Sequence, residues 1–168
     1  MAWIDLNGPV LADTVYDAGK LVAKDVTITL PAINLLTADF KAMGTLTLPI
    51  IGQIEAMEAT VNKVGTDMGL RSMASLDSRT LEFRWVQDVK KADGSTKTVG
   101  CKAFLRVVTK TIPGLSVDPG SQSENELGYA VSRYQFFVDG TEYWLIDQLN
   151  QILRVGGKDY YKQIRSLL

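Results

Sequence analysis

The chain has 168 residues, of which 46% are hydrophobic and 22% charged, with a formal net charge of −1 and no histidine. This length and composition predict one globular domain over residues 1–168, and the near-zero net charge excludes a global basic field for nucleic acid. Because histidine is the commonest general base and a frequent metal ligand, its absence argues against an enzyme, and we expect no catalytic, metal or cofactor site.

The N-terminal quarter predicts a small β structure after a loose start. Residues 1–13 have little periodicity and are interpreted as an N-terminal arm. Thr14–Tyr16 and Lys20–Ala23 flank a turn and predict a short hairpin. Val26–Leu30 alternates apolar and polar residues, which predicts a strand that ends at Pro31 because proline cannot donate to a β-ladder.

Residues 32–44 are apolar without a stable period, and two interpretations are open. One is an irregular helical turn that packs on the core, and the other is a loop that contacts a neighbouring subunit, because a long apolar loop needs something to cover it. The candidate contact residues of this loop are Ile33, Leu35, Leu36, Phe40 and Met43.

The next segment predicts two strands and a helix. Thr45–Ile50 alternates and should end at Gly52. Glu55–Val64 is a candidate strand with Met57, Ala59 and Val61 inward, but the helix propensity of residues 54–59 leaves a helix open as the alternative. Thr66 is positioned to cap a helix that extends to about Leu76.

Arg79–Lys110 has the pattern of a long hairpin with a turn at Ala92–Ser95. Alternation places Cys101 among the inward residues, where it should be a small core side chain. The opposite face is polar, and its charged residues are Glu82, Arg84, Lys102 and Arg106. By itself such a face is typical of a solvated sheet surface.

The C-terminal quarter contains the clearest turn signals. After a loop over residues 112–126, Leu127–Val138 predicts a long strand, Asp139-Gly140 a tight turn and Thr141–Leu145 the returning strand. Gly156-Gly157 is a second turn, after which Asp159 should cap a helix over Tyr160–Leu168. The predicted fold class is therefore mainly β, an antiparallel barrel or sandwich with one mid-chain helix and a short C-terminal helix.

Short motifs in this last quarter resemble those of a known family. Their order is V-D-G-x-E, I-D-x-x-N and G-x-D, followed by a basic and apolar helix. The motif residues are Val138, Asp139, Gly140, Glu142, Ile146, Asp147, Asn150, Gly157 and Asp159. In this order and spacing they resemble the major tail tube protein of contractile phage tails and of phage-tail-like bacteriocins of the pyocin and diffocin kind.

The resemblance implies a structural protein. Subunits of such proteins form hexameric rings that stack into a hollow tube, which conducts DNA or punctures a cell envelope. Expected partners are other copies of the chain, the tail sheath protein, the tube initiator of the baseplate, the tape-measure protein and DNA that passes without tight binding. The loop over residues 32–44 would reach a neighbouring subunit, and the polar face of the long hairpin would line the lumen.

The same resemblance implies synthesis in the bacterial cytoplasm and assembly into a tail or tail-like particle. The start of the chain has no signal-peptide pattern, and we expect no membrane-spanning segment. Two alternatives differ in class: a tube protein of the type VI secretion kind, and a monomeric β-barrel that binds a ligand or catalyses a reaction.

Overall fold

The computed structural model describes residues 5–168 and is built mainly from antiparallel strands, as the alternating patterns predict. The strands are β1 (Leu6–Asp17), β2 (Lys20–Lys24), β3 (Thr27–Thr29), β4 (Leu35–Lys41), β5 (Thr45–Ile54), β6 (Met57–Val64), β7 (Arg79–Lys90), β8 (Thr96–Thr111), β9 (Glu124–Val138), β10 (Thr141–Asp147), β11 (Ile152–Val155) and β12 (Lys158–Asp159). The helices are α1 (Met68–Met73) and α2 (Lys162–Ser166).

Ten strands form one sheet, in which β9 has a special place. Strand β8 pairs along one edge of β9, whereas the other edge pairs first with β6, at residues 124–131, and then with β10, at residues 133–138. The β8 ladder shifts register at Arg106/Val107, beside this change of partner. Since a bulge adds twist, the sheet bends here and encloses a core.

The core contains the inward residues that the sequence predicts. Side chains from β1, β6, β7, β8, β9, β10 and α1 form a single cluster, in which Leu81, Phe83, Met57 and Val61 are at most 2% exposed. Cys101 is buried in an adjoining smaller cluster, as expected of a core residue.

The N-terminal segment differs from its prediction. Residues 6–13 are not a loose arm, because they form the first half of β1 and pair with β7. The pairing includes two register shifts, between Asn7 and Val10 and between Val10 and Ala12, so the side chains show no clean alternation. Residues 1–4 of the expected arm lie outside the described residues. The predicted hairpin at Thr14–Ala23 is confirmed by the pairing of β1 with β2.

Residues 32–44 form neither of the two predicted structures, the irregular helical turn or the loop, and their contact with a neighbouring subunit stays a prediction. Leu35–Lys41 is a regular strand, β4, and it pairs with β5 to form a separate two-stranded sheet. Gly52 does not end β5, which continues to Ile54 with a φ of +85° at the glycine. We call β4 and β5 the apolar hairpin, because one of its faces is apolar, as described below.

Helix α1 begins one residue later than predicted and is shorter. Asp67, not Thr66, is its N-cap, and the Asp67 carboxylate accepts a hydrogen bond from Leu70 N at 3.0 Å. A hydrogen bond from Lys63 Nζ, at 2.9 Å, helps to hold the pKa of Asp67 below its usual value. The carboxylate therefore stays charged at the positive end of the helix. Leu70 and Met73 are buried and fix the helix against the core.

Arg79 ties the segment after α1 to the sheet. Its guanidinium donates to the backbone carbonyls of Met73, Ser75 and Asp77 and lies 3.4 Å from the Asp17 carboxylate. Tyr129 donates a hydrogen bond to the same Met73 carbonyl at 2.8 Å. Burial raises the pKa of Tyr129 well above its ordinary value, so this hydroxyl stays protonated and remains a donor.

Replacing Arg79 by Met should therefore destabilise the subunit by about 2–4 kcal/mol, because carbonyls and a carboxylate at a part-buried position lose their donor. The measurement is urea denaturation followed by circular dichroism. Arg71→Met is the matched control, since Arg71 is exposed on α1, and it should change stability by about 0.5 kcal/mol or less. Equal stability of the two variants would contradict a structural role for Arg79.

Candidate assembly surfaces

The apolar hairpin has one apolar and one polar face. The register pairs Phe40 with Leu46 and Ala38 with Leu48, whereas Asp39 pairs with Thr47 and Lys41 with Thr45. Phe40 is 52% exposed, and Leu46 and Leu48 are each 44% exposed. A continuous apolar face exposed to solvent is unfavourable for an isolated subunit, and such patches mark interaction sites.

The five predicted contact residues of this region divide into two groups. Leu36, Phe40 and Met43 are exposed on the hairpin, whereas Ile33 and Leu35 pack against the core at its base. Leu46 and Leu48 are exposed on the same hairpin, and neither was among the predicted contact residues. The alternation over Thr45–Ile50 contained this signal, since it already separated the leucines from the threonines.

The predicted polar face of the long hairpin exists as expected. Arg84 lies directly opposite Lys102 and Thr80 opposite Arg106, and Glu82 is on the same face. Glu82 forms an ion pair with Arg84 and raises its pKa, while the Arg84 guanidinium lies over the ring of Tyr16 at 4.4 Å. The four charged residues are therefore on one surface of the sheet.

This face extends over β9, β10 and β11, whereas the predicted face contained residues of β7 and β8 alone. Lys102 pairs with Phe137 of β9, and Arg106 pairs with Arg133 of β9. Arg133 in turn pairs with Asp147 of β10. Phe104 and Phe137 pack edge to face with centroids 5.9 Å apart. We call this surface of β7–β11 the outer sheet face.

Most charges of the outer sheet face are paired. Arg154 Nε lies 2.7 Å from Glu142 and Arg133 Nε lies 3.7 Å from Asp147, in addition to the pair of Arg84 with Glu82. Among the described residues, Lys102 and Arg106 have no carboxylate within ion-pair distance. The face is thus mixed in charge, and Lys102 and Arg106 are among its unpaired cations.

The motif residues before the second turn have structural roles. Asp139 and Gly140 have φ values of +50° and +78°, which a tight antiparallel turn requires, and Lys97 lies 2.8 Å from Asp139. Asp147 is buried and accepts hydrogen bonds from the backbone and side-chain amides of Asn150, at 3.1 and 2.7 Å. Ile146 is 1% exposed in the core.

Asp159 has a different role from the predicted helix cap. Helix α2 begins at Lys162 and ends at Ser166, so it is shorter than Tyr160–Leu168. The Asp159 carboxylate binds Arg165 Nη2 at 2.8 Å and accepts a hydrogen bond from Tyr161 N at 3.1 Å. Arg165 and Tyr161 N hold the pKa of Asp159 below its usual value. Gly157, with a φ of +82°, forms the turn that brings β12 beside β11.

The described part of the chain contains no candidate metal site. Residues 5–168 contain no group of three or more Cys, Asp or Glu side chains that could hold a metal ion. Neither helix in this range is long and apolar enough to cross a membrane. The features of these surfaces are apolar contact, hydrogen bonding and charge, which favour association with macromolecules.

Comparison with known proteins identifies a family. A family model described as phage tail tube protein FII matches residues 12–168, which is nearly the whole chain. No curated protein matches the chain.

Replacing Asp159 by Asn should destabilise the subunit by about 1 kcal/mol at pH 7. A carboxyl whose pKa is lowered in the folded state stabilises the fold above the unfolded pKa of about 3.9, and this stabilisation is lost as pH falls through the folded pKa. The difference between the variant and the wild type should therefore shrink below about pH 4.

Urea denaturation at several pH values measures this difference. Asp118→Asn is the control, because Asp118 lies in an exposed loop and no cation lies within ion-pair distance of it among the described residues. A pH-independent difference for Asp159→Asn would show that the ionised carboxylate is not what stabilises the turn.

Proposed function

Because the chain belongs to the phage tail tube protein FII family, we propose that its subunits form hexameric rings that stack into a hollow tube inside a contractile sheath. The family supports a structural tail tube subunit, and we infer from this a role other than catalysis. The observation that supports assembly most directly is the apolar hairpin, whose exposed apolar face needs a partner.

Ring formation is supported by the free edge of the main sheet. Within the described residues, positions 6–13 of β1 pair with β7 on one side, while β2 pairs only with Thr14–Asp17 on the other. Pro9 lies in this stretch, and proline is typical of edge strands. Joining such edges between neighbours would close an inner barrel and remove exposed backbone donors and acceptors.

Stacking is supported by the apolar hairpin. A contact between this hairpin and a different surface of the next subunit is heterologous, and it produces an open filament when the rotation between subunits does not close a ring. Burying a large apolar side chain such as Phe40 contributes about 1.5–3 kcal/mol. The hairpin is thus the proposed inter-subunit element, with Leu36, Phe40, Met43, Leu46 and Leu48 at the contact.

The outer sheet face is the proposed lumen wall. Three ion pairs neutralise part of its charge and leave fewer cations free to neutralise phosphates, so we expect duplex DNA to pass without tight binding, since each neutralised phosphate adds salt-dependent affinity. In a phage the tube would conduct DNA, and in a bacteriocin it would puncture the envelope. The further proposed partners are the sheath protein, the baseplate tube initiator and the tape-measure protein.

Replacing Phe40 by Asp should block tube formation and leave the subunit folded, because the side chain is exposed and the new charge would be buried at the contact. Thr45→Asp is the matched control: it adds the same charge to the same hairpin on its polar face, opposite Lys41, and should still assemble. Electron microscopy after induced polymerisation measures the outcome. Normal tubes from the Phe40 variant would refute the contact, and failure of both variants would show that any charge on the hairpin is harmful.

Assembled wild-type tubes should bind short duplex DNA weakly at physiological salt. Glu82→Lys removes the partner of Arg84 and adds a cation in every subunit, so affinity should rise and fall again steeply with added salt. Asp118→Lys changes the chain charge equally but lies in an exposed loop. Fluorescence anisotropy of labelled DNA is the measurement. Tight binding by the wild type would refute the proposal that DNA passes through the lumen without tight binding. Equal binding by both variants would place Glu82 away from the lumen.

A further inference from the structure

The orientation of the apolar hairpin depends on side-chain packing. Within the described residues, β4 and β5 pair only with each other, so no ladder connects them to the ten-stranded sheet. The base of the hairpin packs against the main core cluster through Leu35 and Ile54, beside an apolar cleft of about 570 Å³ that Leu35 and Ile51 line together with Trp144 and Tyr160. An isolated two-stranded hairpin is marginally stable in water, so this docking must also keep the hairpin ordered.

One contact at the base is unusually close. Gly52 has a φ of +85°, and a Cβ atom at this position would overlap the ring of Tyr161. The same ring packs against the main core cluster. Gly52 lies where the β4–β5 register shifts, between the pairs Leu35–Ile54 and Thr37–Pro49. Tyr161 therefore connects the core of the barrel to strand β5, and the missing side chain of Gly52 makes the contact possible.

The chain around Tyr161 is fixed by polar contacts more than by burial. Arg165 donates to the Gln151 carbonyl at 2.7 Å and to the Asp159 carboxylate at 2.8 Å, and that carboxylate also accepts from Tyr161 N. Helix α2 has five residues and none of them is buried, which is too short for a helix to be stable by itself. The ordered helix thus depends on this network.

We propose that residues 159–168 are a latch that holds the apolar hairpin in one orientation, with Tyr161 on Gly52 as its positioning contact. A hairpin held in its docking orientation loses less conformational entropy when it meets a neighbour. The consequence for assembly rests on the proposed function, whereas the latch itself is a property of the single subunit. Tyr161 is thus a positioning residue and not part of the inter-subunit contact.

The latch is tested on the unassembled subunit by hydrogen exchange and mass spectrometry. In Tyr161→Ala, amides of β4 and β5 should exchange about tenfold faster or more, while those of β7 and β8 keep their wild-type rates, because only the hairpin loses its support. Tyr161→Phe keeps the ring and should behave like the wild type. Arg165→Gln removes the supporting network without touching the core, and it should also accelerate exchange in β4 and β5.

Gly52→Ala tests the contact between Gly52 and Tyr161 by adding a Cβ atom that overlaps the ring. The matched control is Gly65→Ala, since Gly65 has a φ of +88° and open space where a Cβ would lie, so it reproduces the backbone strain without the overlap. Faster hairpin exchange in Gly52→Ala but not in Gly65→Ala supports the latch. Because the ring is the obstacle, adding Gly52→Ala to Tyr161→Ala should have a smaller effect than Gly52→Ala has alone.

Assembly of the same variants separates the two proposals. If hairpin exchange stays at the wild-type rate in both Tyr161→Ala and Gly52→Ala, the latch is refuted, whether or not tubes form. If exchange accelerates but tubes form at the wild-type rate, the latch does not prepare the hairpin for assembly. Wild-type subunits that never assemble would instead refute the proposed tube function and leave the exchange result valid. If Tyr161→Ala fails to fold, Arg165→Gln and Gly52→Ala decide the outcome.

Discussion

Strand β9 is the element on which the rest of the structure depends, because it hydrogen-bonds to three other strands. With β8 along one edge, it carries β6 and then β10 along the other, so a single strand joins both parts of the sheet. The inward side chains of β9, including the fully buried Leu127 and Tyr129, face the core that this bend encloses. Through Tyr129 and the carbonyl of Met73, the same strand also positions α1 beside Arg79. Loss of this pairing would separate the two halves of the core.

The parts of the subunit that are buried or ion-paired are stable by themselves, whereas its exposed apolar face and its free strand edge are unfavourable in water. Its core and its ion-paired outer sheet face need no partner, whereas the apolar hairpin and the first half of β1 leave apolar side chains and backbone groups exposed. Both open features are liabilities in a monomer, since free edges and apolar patches promote association. In the assembly proposed above, contacts with neighbouring subunits would cover both features.

The family motifs in the last quarter of the chain describe geometry rather than chemistry. Asp139 and Gly140 allow a tight turn, Asp147 and Asn150 close the next one, and Asp159 fixes the segment that carries Tyr161. Buried or hydrogen-bonded carboxylates at turns need specific partners, so changes at these positions are costly. In the proposed assembly of identical subunits, any change in this local geometry would be repeated in every subunit.

The sequence by itself determined the elements whose patterns are local: the alternating strands β7–β10, their inward residues, the polar face with Glu82 and Arg84, the glycine turns, and the family. Alternation and positive-φ turns depend on neighbours in the chain, so they are visible without the fold. Only the tertiary structure decided that residues 6–13 are a strand, since their register shifts remove the alternation and their partner, β7, is distant in sequence. It also decided that residues 35–41 form half of an amphipathic hairpin and that Gly52 receives the ring of Tyr161. These features arise from contacts between residues far apart in the chain, which no local pattern encodes.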